Sequence, residues 1–285
     1  MKEKKRLKAS TWVIIALVLC LISSIGACLV QSSGGSVRVE DFKVFVDDGR
    51  YINGQIYIPR DASPDNKLPL IILSHGSYNN LDHQDLNMIE LSRRGFVVIS
   101  SDAFSHGSSS VGTDGHIAYD NVSLLVDYAC NTFNFIDTDK IGISGHSMGG
   151  MIVSTCMQTN FERAARGEGE NRIAAILTVG CDPQYTPYEF EGVDAPVDVA
   201  VNWGTIAAKY DEWFYKGETG NPALYLQSEA AKSFVNQLDG VDVTDAVENG
   251  KIYTGTIDGE KYVRVIYQNN EIHPLTSRHL LYSTL

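Results

Sequence analysis

The chain has 285 residues, 44% of them hydrophobic, and a formal net charge of −12. That length and apolar content suffice for one large core in a single α/β domain. The acidic balance argues against nucleic acid as a partner, because phosphates repel a field of the same sign.

The N-terminus stands apart. Met1–Lys8 carries five basic residues against one Glu, and Thr11–Val30 is an almost unbroken apolar run of the length a helix needs to cross a bilayer. Residues 1–30 therefore read as an N-terminal signal or membrane anchor. The basic residues ahead of the span keep that end in the cytoplasm and place everything after Ser32 outside the cell membrane as a single-pass protein. Two other readings are open. Ser23-Ser24-Ile25-Gly26-Ala27 approximates a signal cleavage site, and Ile25-Gly26-Ala27-Cys28 approximates a lipobox that would make Cys28 a lipidated first residue. All three export the domain, whose remaining 18 basic and 34 acidic residues give it a net charge of −16. Of the five cysteines, Cys20 and Cys28 lie in the apolar run. Cys130, Cys156 and Cys181 form neither a ligand cluster nor a disulfide framework and read as buried small side chains.

Gln31–Ser36 reads as a short flexible linker, and residues 37–285 as the domain. Val37–Val46 and Tyr51–Ile58 alternate apolar and polar residues around Asp47-Asp48-Gly49-Arg50, an opening hairpin. Leu68–Leu73 is a continuous apolar run, as in a strand buried on both faces. Helix and strand then alternate: a helix over Gln84–Arg94 stopped by Gly95, a strand over Phe96–Ile99, a helix over Asn121–Cys130, a strand over Lys140–Ile143, a helix over Met148–Gln158 and a strand over Arg172–Val179. This rhythm implies a mostly parallel central sheet with helices on both faces, its active site at the carboxyl ends of the strands. Asp182–Pro196 reads as a loop or small cap, and Pro196–Ala208 as β-rich with a bulge at Trp203-Gly204. Ser228–Leu238 reads as a helix, Lys251–Gln268 as a hairpin turning at Asp258-Gly259, and Thr276–Leu285 as the start of a helix.

The chemistry centres on Gly145-His146-Ser147-Met148-Gly149, a G-x-S-x-G pattern between a predicted strand and a predicted helix. A sharp turn there lifts a serine hydroxyl out of the sheet. Such a hydroxyl is a poor nucleophile until a positioned base takes its proton, and the base needs an orienting group. Of seven histidines, His273 follows the last predicted strand after a short loop, Asn269–Ile272, and is the candidate base; His279 is the runner-up. His75 and His106 sit where they would shape a site, His146 is expected to point away from it, and His83 and His116 read as solvated. For the acid, Asp211 lies just past a strand, Asp182 ends the preceding one, and Glu212 is a third choice. Negative charge developing on a substrate oxygen needs N–H donors. Met148, following the nucleophile at a helix N-terminus, supplies one. Ser74-His75-Gly76-Ser77-Tyr78 supplies the other, from Ser77 or alternatively Tyr78.

Together these residues resemble the α/β-hydrolase superfamily over nearly all of Val37–Leu285. Ser74-His75-Gly76 looks like its oxyanion loop, and Ser101–Ser109 is similar to its D-x-x-G-H-G-x-S segment. More closely, the chain resembles membrane-anchored bacterial hydrolases grouped with carboxylesterases, lipases and dienelactone-hydrolase-like enzymes. The resemblance implies an α/β-hydrolase fold, a triad in the chain order Ser147, Asp211, His273 or with Asp182 as its acid, and an acyl-enzyme formed from a small-molecule ester. It also implies no metal and no organic cofactor. The chain departs from the family in two places. Ala208 stands where the acid-bearing turn often has glycine, and only twelve residues follow His273, so the C-terminal helix is expected to be truncated. Trp213–Lys261, with Trp213, Phe214, Tyr215, Tyr225 and Phe234, reads either as a lid lining an acyl pocket or as an insertion with its own small core. A prolyl-oligopeptidase-type serine peptidase and a non-catalytic binding protein of the same fold are the alternative functions.

Overall fold

The structure, a computed structural model, describes residues 8–46, 49–112, 120–183 and 200–276. An apolar helix, α1 (Ala9–Gln31), precedes the domain, and none of its residues is buried. The following residues are not a free linker: Ser33–Gly35 forms a 3-10 turn, and Val37 N donates to Ser32 O at 3.0 Å.

A nine-stranded sheet forms the centre of the domain. The opening hairpin is β1 (Val37–Phe45) against β2 (Tyr51–Pro59), antiparallel and in register from Val37 opposite Pro59 to Phe45 opposite Tyr51. Next come β3 (Leu68–Ser74), α2 (Asp85–Arg93), β4 (Val97–Ser101), α3 (Asn121–Thr132), β5 (Ile136–His146), α4 (Met148–Ala165), β6 (Ile173–Val179) and β7 (Asn202–Tyr210). Helix α5 (Glu229–Asn236), the hairpin β8 (Tyr253–Ile257) and β9 (Glu260–Ile272), and the short α6 (His273–Thr276) complete the described order. The strands lie in the order β1-β2-β4-β3-β5-β6-β7-β9-β8, parallel from β4 through β9 and antiparallel at both edges.

The apolar runs are continuous because both faces of the sheet are covered. Alternate residues of a strand point to opposite faces. Leu70, Ile72, Val97 and Ile99 accordingly join the large core beneath α3, α4 and α5, with Val126, Ile152, Val153 and Phe234. Leu73 and Val98 turn to the other face and meet Met88 of α2. Each such side chain contributes about 1.5–3 kcal/mol on burial.

Two details differ from the sequence pattern. Trp203 and Gly204 pair in unbroken register with Arg264 and Val265, and the irregularity falls instead between Ala208 and Tyr210, beside Asp211. Gly204 marks close packing rather than a bulge, since a Cβ there would lie 3.1 Å from Leu177 Cδ1 and from Val265 Cγ1. Asn269–Ile272 is strand rather than loop: Ile272 still pairs with Tyr210, so His273 emerges directly from a strand end. Cys130, Cys156 and Cys181 are free thiols, the latter two buried, and burial raises the thiol of Cys156 to about 12. His116, His279, Pro196 and every residue of Thr276–Leu285 after Thr276 lie outside the described residues, as does most of the loop after Asp182.

Candidate active site

Ser147 occupies the turn from β5 to α4 with φ 56° and ψ −118°. Such a backbone costs a serine about 1–3 kcal/mol and persists only where the surroundings enforce it. Ser147 N donates to Val179 O of β6 at 2.8 Å. The two flanking glycines let the chain close on itself: a Cβ at Gly145 would collide with Gly149 O, and one at Gly149 with Ser74 O. Gly-x-Ser-x-Gly is thus a packing requirement of this turn, which leaves Ser147 Oγ pointing outward at the N-terminus of α4.

Three strand ends converge on that hydroxyl. His273, at the end of β9, has Nε2 2.8 Å from Ser147 Oγ and Nδ1 2.8 Å from Asp211 Oδ2. Asp211 follows β7, and its side chain is fully buried, that of His273 nearly so. The other carboxylate oxygen, Oδ1, accepts the main-chain N–H groups of Trp213 at 2.9 Å and Phe214 at 2.8 Å. Those two bonds fix the carboxylate so that Oδ2 faces the imidazole. Asp182 is engaged elsewhere, accepting from Tyr225 Oη at 3.1 Å, and Glu212 is exposed.

Met148 is the first residue of α4, so its N–H has no partner within the helix. Gly76, Ser77 and Tyr78 line the cavity that Ser147 also lines, with Tyr78 at φ 61° and its ring fully exposed. His75 lies beneath this loop, donating from Nδ1 to Gly76 O at 2.8 Å and accepting from Ala103 N at Nε2, 3.0 Å. Burial pushes His75 down to about 4, so the ring is neutral and serves as a strut. The Ser101–Ser109 segment is organised by Asp102, whose carboxylate accepts from Leu81 N, Asn53 Nδ2 and Ser108 N at 2.8–3.0 Å.

Two histidines depart from their sequence reading. His146 does not point away from the site: its Nε2–H donates to His273 O at 2.9 Å, and its ring centroid lies 5.0 Å from that of His273. Burial holds it down to about 3, so it is a neutral donor. His83 is a cavity wall rather than a solvated side chain, its ring 5.2 Å from His146. The bond from Leu81 N to Asp102 draws its segment over the site, a tertiary contact that local pattern does not encode. The aromatic run after Asp211 divides in two. Trp213 lies edge-on to His273 at 4.8 Å and Phe214 stacks on it at 5.5 Å, both lining the cavity. Tyr215, Tyr225 and Phe234 are core; Tyr215 Oη donates to Cys181 O at 2.8 Å. The cavity has a volume of about 720 Å³, within the range of small-ligand sites.

Comparison with known proteins agrees with this architecture. The fold is similar to that of an esterase from Pyrobaculum calidifontis, with a TM-score of 0.54 and 17% identity over 87% of this chain and 80% of that one. It is equally similar to Est1E from Butyrivibrio proteoclasticus, solved with ferulic acid bound: TM-score 0.54, 18% identity, 85% of this chain and 95% of that one. A probable dipeptidyl-peptidase 5 from Aspergillus niger is 29% identical over 139 residues, 43% of this chain and only 19% of that protein's length. A family model described as PET hydrolase-like matches residues 25–247, more than three quarters of the sequence. The chain belongs to this PET hydrolase-like family, and it is a serine hydrolase of the α/β-hydrolase superfamily.

Proposed function

We propose that the protein is an exported, membrane-tethered esterase that cleaves carboxylic esters through an acyl-enzyme on Ser147. The observation that carries this reading is the unbroken chain Ser147 Oγ, His273 Nε2, His273 Nδ1, Asp211 Oδ2, with both links at 2.8 Å, at the floor of the cavity.

Ser147 Oγ attacks the ester carbonyl as His273 Nε2 takes its proton. The imidazolium so formed is held by Asp211, which accepts from Nδ1 and keeps the ring in the tautomer whose Nε2 is a base. The negative charge moving to the carbonyl oxygen is met by the N–H groups of Met148 and Ser77, the former reinforced by the α4 dipole. His273 then returns the proton to the departing alkoxide, leaving an acyl group on Ser147. Water, deprotonated by the same nitrogen, attacks that acyl group and releases the acid. Each cycle consumes one ester and one water and yields one acid and one alcohol.

The cavity wall favours esters over peptides. Its described residues Tyr78, His83, His146, Trp213 and Phe214 are aromatic, and no described lining residue is acidic. A peptide substrate gripped by its α-ammonium group needs a carboxylate to replace lost hydration. The apolar helix α1 supports tethering: it is 23 residues long, an 18-residue stretch of it has a mean hydropathy of 2.9, and it is unburied. Fluorophosphonate labelling tests the reading. One probe per wild-type chain, none in Ser147→Ala or His273→Ala, is expected; an unlabelled wild-type protein overturns it. Turnover of p-nitrophenyl esters but not aminoacyl p-nitroanilides separates esterase from peptidase.

A further inference from the structure

The end of the sheet to which α1 is attached is opposite the end that carries Ser147. Strand register makes this measurable. Ser101 of β4 pairs with Gly54 on one side and with Ser74 on the other, and Ser74 pairs with Gly145, so all four lie at the level of the active site. Val37, where the chain enters the domain, pairs with Pro59. Pro59 is five residues along β2 from Gly54, on the order of 17 Å from the active-site level toward the N-terminal ends of the parallel strands.

The last turn of α1 is fastened at that far end. Gln31 Nε2 donates to Tyr57 Oη at 2.8 Å. Arg93, closing α2 just before β4 begins, donates from Nη2 to Val30 O at 3.2 Å and from Nε to Ser33 Oγ at 2.9 Å. Arg60 Nε donates to Gly35 O, and Arg60 N to Ser36 O at 3.0 Å. An arginine at the C-terminal end of a helix satisfies an orphan carbonyl and complements the helix dipole. These bonds span residues 30–36, the whole stretch between the apolar run and β1, and they remove the slack that would let the domain swivel.

We infer that the domain stands on its membrane helix with the amino ends of the parallel strands toward the bilayer and the mouth of the active site turned away from it. The ester therefore reaches Ser147 from the aqueous side, as a soluble molecule or an external polymer, and not as a lipid of the bilayer to which the enzyme is tethered. This rests on the reading of α1 as an uncleaved membrane span. The helix is about 35 Å long at 1.5 Å per residue, enough to cross the hydrocarbon core and end where Gln31 begins the fastened segment.

The three tryptophans supply the test. Trp12 lies in α1, Trp213 stands exposed at the mouth, and Trp203 is buried in the core. The full-length chain is reconstituted into phosphatidylcholine vesicles with brominated or unbrominated acyl chains, as Trp12→Phe and Trp213→Phe, with the double variant giving the Trp203 background. Brominated chains should extinguish most of the Trp12 emission and leave Trp213 unchanged, while aqueous acrylamide should quench Trp213. Quenching of both Trp12 and Trp213 by bromine overturns the orientation and leaves the span standing. An unquenched Trp12 overturns the span, and the inference with it. As a functional arm, the wild-type protein in vesicles should hydrolyse p-nitrophenyl butyrate and spare a fluorogenic phospholipid in its own bilayer. Comparable cleavage of both overturns the inference even where the fluorescence agrees.

Discussion

The turn that carries Ser147 and the strand end that carries His273 are built in opposite ways. The first is set by a five-residue motif: Gly145 admits Gly149 O and Gly149 admits Ser74 O where a side chain would exclude them, and a bond from Ser147 N to Val179 O completes the turn. The second is assembled from a distance. His273 is held by Asp211, 62 residues away, and by His146, 127 residues away, with Trp213 and Phe214 against its ring. A nucleophile can be specified by a short motif; its base depends on the whole sheet being in register.

Mutations can break this contrast, and the largest effects fall on the relay itself. Ser147→Ala and His273→Ala should each lower kcat by about 10⁶-fold, and the double variant by little more, because the two act as a unit. Single-turnover assays with a p-nitrophenyl ester measure this. Asp211→Asn should cost about 10⁴-fold by leaving the imidazole in the wrong tautomer, whereas Asp182→Asn, which touches only Tyr225 Oη among the bonds described above, should stay near wild type. Reversal of that pair would transfer the orienting role to Asp182. His146→Phe keeps the ring but removes the donor to His273 O, and should lower kcat about tenfold with KM little changed, the worth of one buried hydrogen bond. An unchanged kcat would show that the strand end alone suffices to aim His273.

The effect farthest from the chemistry is on stability. His75 and His146 are held neutral in the fold, near 4 and 3, but protonate near 6.5 when unfolded. Between those values the unfolded chain binds more protons, so stability is full above pH 6.5 and declines as pH falls toward 4 and then 3. Each histidine should add a slope of about 1.4 kcal/mol per pH unit within its own window. Urea unfolding of Ser147→Ala from pH 7 to 4.5 should show the decline, and His146→Phe in that background should flatten it by one proton.

This contrast also explains what the sequence discloses. Ser147, the alternation of strands and helices, and the order of Asp211 before His273 are legible because hydrophobic period and short spacing encode them. His146 and His83 are misread because their direction depends on tertiary contacts: the bond of His146 to the carbonyl of His273, and for His83 the bond from Leu81 N, two residues earlier, to the carboxylate of Asp102. The choice between Asp211 and Asp182 is likewise undetermined by order, since both follow parallel strands. It turns on which carboxylate finds main-chain donors, Trp213 and Phe214 for Asp211, and which finds a tyrosine. Tyr215, Tyr225 and Phe234 look like pocket residues by composition, yet they are interior because Tyr215 Oη reaches Cys181 O, binding the segment down to β6.

The bonds from residues 213 and 214 to Asp211 come from the main chain, while the rings of the same residues form the wall of the cavity. Substrate choice and acid geometry therefore share two positions without sharing atoms. Any of the nineteen side chains that leave the N–H in place can be tried there, and the relay keeps its anchor. Proline alone, lacking that hydrogen, would couple a change of taste to a loss of catalysis. Exchanging the two rings thus changes the wall and the packing against His273 while the Asp211 carboxylate keeps its donors, a freedom that a carboxylate held by side-chain donors would not have.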